Sequence, residues 1–134
     1  MNVLVIDGQG GKIGARLIEL IKKEDSDINI IAVGTNSAAS SAMLKSGANS
    51  AATGENSIKV ACRKADFILG PVGIIAADSL LGEITADAAN AVSRSDATKI
   101  LIPLNRCETI VAGVSEISMT ELLNDAVKKL FNMI

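Results

Sequence analysis

Histidine, tyrosine and tryptophan are absent from this 134-residue chain, and each absence removes a class of chemistry. Without His, the commonest metal ligand and the commonest acid/base at neutral pH are gone. Without Tyr or Trp, and with two Phe, there are few rings on which nucleobases could stack. Basic residues do not cluster: no run is longer than Lys22-Lys23 or Lys128-Lys129, and the net charge is −2. A nucleic-acid backbone needs a concentrated positive face, so nucleic acid is not an expected partner. No apolar stretch approaches the roughly 18 residues of a membrane span. A strand-like run beginning at Val3 leaves no room for a signal peptide, so the expected location is the cytoplasm. Cys62 and Cys107 lie far apart with no CxxC pattern, which predicts reduced thiols and no metal site.

What is abundant is small and aliphatic. Nearly half the residues are apolar, and length predicts one domain over residues 1–134, large enough to bury a sizeable core. Closely packed Ala, Gly and Ser suit a homodimer or higher homo-oligomer.

Apolar runs and helical spacings alternate along the chain. Val3–Ile6 reads as a buried strand, and Ile13, Leu17, Leu20 and Ile21 as one face of the following helix. Ile28–Val33 is a second strand, and Asn36 or Ser37 caps a helix through Ser46, stopped at Gly47. Ala48–Thr53 is a short third strand. Ile58, Ala61, Cys62 and Ala65 then mark a helical face on which Cys62 is core. Phe67–Leu69 is a fourth strand, Ile74–Leu81 a helix stopped by Gly82, and Thr85 the cap of a helix through about Arg94. Lys99–Leu104 is a fifth strand whose Pro103 marks an end or an edge. Thr109–Val114 reads as a sixth strand, antiparallel to the fifth across a short loop. Ser118-Met-Thr-Glu121 is a capping box that opens a last helix. This alternation predicts an α/β three-layer Rossmann-like sandwich. Its mostly parallel sheet has order 3-2-1-4-5, with the sixth strand added at an edge.

The chemistry concentrates at the first strand–helix junction, Asp7-Gly-Gln-Gly-Gly-Lys-Ile-Gly14. Gly8, Gly11 and Gly14 recur every third position, with Gly10 between. Such a turn lets backbone approach a ligand and the helix pack against the strand, while free N–H groups at the helix start face an anion. Gly8, Gln9, Gly10, Gly11, Lys12, Ile13 and Gly14 are therefore the expected phosphate cradle, and the reading requires their amides to be open. Asp7 either positions a ribose, metal or proton, or bonds the turn's own N–H groups; the second is preferred. Lys12 is either a phosphate contact or a solvated lysine.

Gly70-Pro71-Val72-Gly73, after the fourth strand, falls on the other side of the predicted reversal of strand order. It either lines the ligand site or merely starts a helix. Glu55 and Asn56 either face the same edge or begin their own helix. Arg106 is the one Arg predicted near that edge. Cys107 is a candidate nucleophile without a His to activate it.

The Gly-x-x-Gly-x-x-Gly spacing resembles that of extended short-chain dehydrogenases and of dihydrodipicolinate reductase, over the first strand, turn and helix. That resemblance implies NAD or NADP. Gly34-Thr35-Asn36-Ser37 stands where an Asp or Glu would hold the NAD ribose, and the short-chain Tyr-x-x-x-Lys pair cannot exist here. Almost the whole chain also resembles a small uncharacterised bacterial family common in clostridia. The phrases that carry this include Ile6-Asp-Gly-Gln-Gly-Gly, Leu69-Gly-Pro-Val-Gly-Ile-Ile and Leu81-Gly-Glu-Ile-Thr. That family brings no assigned activity.

The expected function is binding of a nucleotide or phosphorylated small molecule, with Gly34, Thr35, Asn36 and Gly70–Gly73 lining the remainder. The alternatives are a non-enzymatic sensor reading a mononucleotide and a structural oligomer without a ligand.

Overall fold

The computed structural model describes residues 1–104, 109–114 and 116–134. The elements run β1 (Asn2–Asp7), α1 (Lys12–Glu24), β2 (Asn29–Gly34), α2 (Ser37–Lys45), β3 (Ser50–Thr53), α3 (Glu55–Cys62) and β4 (Phe67–Pro71). A short 3-10 turn (Val72–Ile75) follows, then α4 (Ala86–Arg94), β5 (Thr98–Ile102) and α5 (Met119–Met133). The sheet has five strands in the order β3-β2-β1-β4-β5, all parallel. It is the order and Rossmann-like layering that the alternation of elements predicts.

Period-two alternation along β1 divides the core. Val3 and Val5 face Leu17, Ile18 and Ile21 of α1 and Leu123 and Leu130 of α5. Leu4 and Ile6 face Ile58 of α3 and Val92 of α4 on the other side. Each fully buried aliphatic side chain contributes roughly 1.5–3 kcal/mol, and central β1 and β4 are buried nearly throughout. β3, mostly exposed, is an edge. Three caps set the helix starts: Asn36, Thr85 and Ser118 accept the N–H of Ala39, Ala88 and Glu121. Each satisfies an N–H that the helix itself cannot. Among the described residues no helix is long and apolar enough to cross a membrane.

Two expectations fail. Residues 109–114 form no strand: β5 ends at Ile102 before Pro103, which has no N–H for a ladder, and Gly113 bends the chain at φ +84. Nor is Ile74–Leu81 a helix. Asp78, Leu80 and Leu81 have φ of +65, +54 and +56, which no right-handed helix accommodates. The Ser79 hydroxyl donates to the Gly73 carbonyl, and Asp78 N–H donates to Ile84 carbonyl at 2.7 Å. These bonds pull the segment into a looped strap, because a serine hydroxyl competes for backbone acceptors that a helix would use.

Candidate functional site

The chain leaves β1 toward one side of the sheet and β4 toward the other, so their C-terminal ends flank a crevice. A cavity of about 370 Å³ occupies it. Asp7, Gly8 and Gln9 border it from the first turn, and Pro71, Val72 and Gly73 from the second. Both glycine turns thus meet at one place, as their positions on β1 and β4 predict. Ile13 also touches the cavity, and the strap from Ile75 to Leu80 supplies a mostly apolar wall. Leu104 and Thr109 border it as well; Arg106 and Cys107 lie outside the described residues.

The floor is Asp7, a buried carboxylate at the end of β1. Its oxygens accept the N–H of Gly8 and of Gly14, each at 2.8 Å. Burial pushes the Asp7 carboxyl above its ordinary value. The N–H groups of Gly14, Gly8 and Ile13 oppose that rise, and the nearby charge of Glu83 adds to it. Asp7 therefore bonds the turn's own amides. It holds the strand end, the turn and the first turn of α1 together.

The turn is stitched a second time from a distance. Glu83, at the end of the strap, accepts the Gln9 N–H at 3.1 Å and 3.2 Å on its two oxygens. Its Oε1 also accepts the Thr35 hydroxyl and the Asn36 side-chain amide, each at 2.6 Å. The bond from Thr35, with those from Asn36 and Gln9, holds the Glu83 carboxyl below its ordinary range, against the rise that burial would give. Asn36 Nδ2 reaches the Gln9 carbonyl as well, at 2.9 Å. An acidic group is thus present at the end of β2 after all, contributed in space by the strap. Sequence reading did not single out Glu83, because its partners are tens of residues away and nothing in the local spacing points to them.

The amides expected to be open are consequently engaged. Asp7 takes those of Gly8 and Gly14, Glu83 takes that of Gln9, and the Gly8 carbonyl takes that of Gly11 at 2.9 Å. Gly10 and Lys12 are exposed beside them.

The other predicted residues divide between packing and site. Gly11 has φ +72, and a Cβ there would lie 2.8 Å from the Ala39 Cα, so it serves the approach of α2. Gly14 and Gly34 sit against Met43 and Ser40, and Gly70 faces the Ile6 carbonyl within the sheet. Glu55 accepts the Thr85 hydroxyl at the start of α3. Neither Glu55 nor Asn56 borders the cavity. Cys62 is buried between α3 and its neighbours, and burial pushes its thiol up to about 11, as suits a core residue.

These features define a Rossmann-like α/β domain with a crevice at the reversal of strand order. The chain belongs to the family described as "Domain of unknown function (DUF3842)", whose model matches residues 2–134. No curated protein matches it. Among solved structures it is similar to a dodecameric FMN-dependent Ubix-like decarboxylase from Escherichia coli O157:H7. The likeness has a TM-score of 0.55 at 13% identity, over 99% of this chain and 94% of that one. At that identity the likeness is one of fold.

Proposed function

We propose that residues 1–134 form a single binding domain for a nucleotide or similar phosphorylated small molecule, held between β1 and β4. One observation carries this: two glycine turns from non-adjacent parts of the sequence border one cavity at the reversal of strand order. In this reading the apolar wall from Pro71 to Leu80 receives the flat part of the ligand. Its phosphate goes to the polar rim at Gln9 and Gly10, with Lys12 and Thr35–Asn36 nearby, since the amides of Gly8, Gly11 and Gly14 are already taken within the turn. The cavity lies near the lower end of the roughly 300–1,000 Å³ typical of ligand sites. That size favours a mononucleotide over NAD or NADP. A fold shared with an FMN-dependent protein agrees with the choice.

In this reading the site senses its ligand: both Asp7 oxygens are already bonded to backbone N–H groups, and among the described residues the other carboxylate lining the cavity is the exposed Asp78. A cytoplasmic location accords with the buried free thiol of Cys62. Homo-oligomerisation accords with the exposed apolar side chains of Ile117, Met119 and Met133.

Thermal unfolding with AMP, ADP, FMN, NAD, NADP and CoA tests the reading. A ligand at about 100 times its Kd adds about 2.7 kcal/mol. The expected result is stabilisation by a mononucleotide, recovered chemically unchanged after incubation. Stabilisation by intact dinucleotides alone would move the assignment to NAD(P), and no stabilisation by any of them would leave the glycines to packing.

A further inference from the structure

Three hydrogen-bond donors on two different connections, the Gln9 N–H, the Thr35 hydroxyl and the Asn36 amide, converge on one point, and an anion of the protein itself sits there. We propose that these donors are the subsite for a ligand phosphate, and that Glu83 fills it until a phosphate ester displaces it. The proposal rests on the reading that a phosphorylated ligand uses this crevice. It adds the place of the phosphate and the means by which the empty site is closed.

The donor set is suited to an oxyanion. A carboxylate satisfies it with two oxygens, whereas a phosphate offers more acceptor oxygens and a larger charge to the same donors. The exposed Gly10 and Lys12 adjoin it, the latter as a point charge. Glu83 and a phosphate cannot share the position, since both are negative and Asp7 beneath them is a further carboxylate. Occupancy is therefore competitive.

Backbone conformation marks the moving part. Among the described residues, the non-glycine residues at positive φ are Gln9, Asp78, Leu80 and Leu81. One is the residue whose N–H Glu83 holds, and the other three are on the strap that carries Glu83. L residues are disfavoured in that region, and such positions persist only where surrounding contacts hold them. Gly82, also at positive φ and with open space around it, lies immediately before Glu83 and acts as the pivot. Leu81 at the tip is 92% exposed, so little apolar packing opposes movement of Leu81–Glu83, while Leu80 stays packed on the core. Beneath the tip the strap is fastened by the Ser79–Gly73 bond, by the Asp78 N–H to the Ile84 carbonyl and by the Ile84 N–H to the Ser79 carbonyl. Displacement of Glu83 thus moves the tip, Leu81–Glu83, and leaves Leu80 and the rest of the cavity wall in place.

The test uses the full chain as wild type, Glu83→Ala and Glu83→Gln, with inorganic phosphate and AMP as probes and backbone amide resonances as the readout. In Glu83→Ala, phosphate should shift the Gln9 backbone amide and, beside the backbone resonances, the Asn36 side-chain amide at about tenfold lower concentration than in wild type, because removing the internal occupant raises the fraction of open sites. AMP affinity should rise by a similar factor. Glu83→Gln keeps the side-chain shape and should fall between the two; it carries the test should the alanine variant not fold. Equal or weaker phosphate binding in both variants overturns the proposal, and weaker AMP binding identifies Glu83 as a ligand contact instead. Should phosphate show the tenfold difference while no nucleotide binds, the subsite stands and the nucleotide reading falls. Should AMP bind wild type in the crevice with no gain in either variant, the crevice stands and the displacement falls.

Discussion

The Glu83 carboxylate holds the Gln9 backbone N–H across 74 positions of sequence, and through it the strap holds the first turn of the protein. The bond makes the stability of the turn depend on the charge of Glu83. The Glu83 carboxyl titrates below its ordinary value of 4.5, so its stabilising contribution is complete above that value. It is lost as pH falls through the lower folded-state value. Wild type should exceed Glu83→Gln by about 1 kcal/mol near neutrality, after allowing for screening at a half-buried carboxylate. Urea unfolding across the acid range should show that gap closing as pH falls; a gap that widens would contradict the assignment.

Asp7 titrates in the opposite sense. Its carboxyl lies above the ordinary 3.8, and Glu83 is one of the causes. Ionised Asp7 is thus the costlier form in the fold, and its contribution improves as pH falls from the raised value toward 3.8. Replacing Glu83 by Gln should lower the Asp7 titration point toward the ordinary value, as followed by its carboxyl carbon resonance. Asp7→Asn should destabilise the protein by about 1–3 kcal/mol, because an NH2 group would face the N–H of Gly8 or Gly14 and leave it unpaired.

Gly10 and Gly11 are adjacent and should respond very differently. A Cβ on Gly10 meets nothing nearer than Lys12 Cγ at 4.0 Å, whereas one on Gly11 meets Ala39 Cα at 2.8 Å and carbonyl oxygen at 2.9 Å. Gly10→Ala should change stability by no more than about 0.5 kcal/mol, and Gly11→Ala should cost about 2–4 kcal/mol. Chemical denaturation measures both. Loss of ligand binding in a Gly11 variant consequently reports a disturbed fold, and Gly10 is the better position for probing the site.

The parts that could be read from the sequence are those whose cause is local. The order β3-β2-β1-β4-β5 follows from alternating apolar runs and helical spacings, and Asn36, Thr85 and Ser118 cap the helices they precede. The meeting of the two glycine turns follows from that order. What escaped depends on distant partners. The apolar residues from Ile74 to Leu81 suggest a helix until Ser79 is seen bonded to Gly73 and Leu81 in solvent. Thr109–Val114 has strand-forming composition, but its ladder partner would have been a strand that stops before Pro103. Glu83 has no local signature, since its acceptor role exists only once β1, β2 and the strap have come together.

A map of backbone amide shifts on titrating the full chain with FMN and with AMP locates the ligand on the domain. Binding between β1 and β4 predicts the largest changes at Gly8, Gln9, Val72 and Gly73, with Thr35 and Glu83 following as the strap tip moves. Changes confined to another surface, such as the groove between α3 and α4 around Arg63 and Arg94, or no change with either compound, would contradict it.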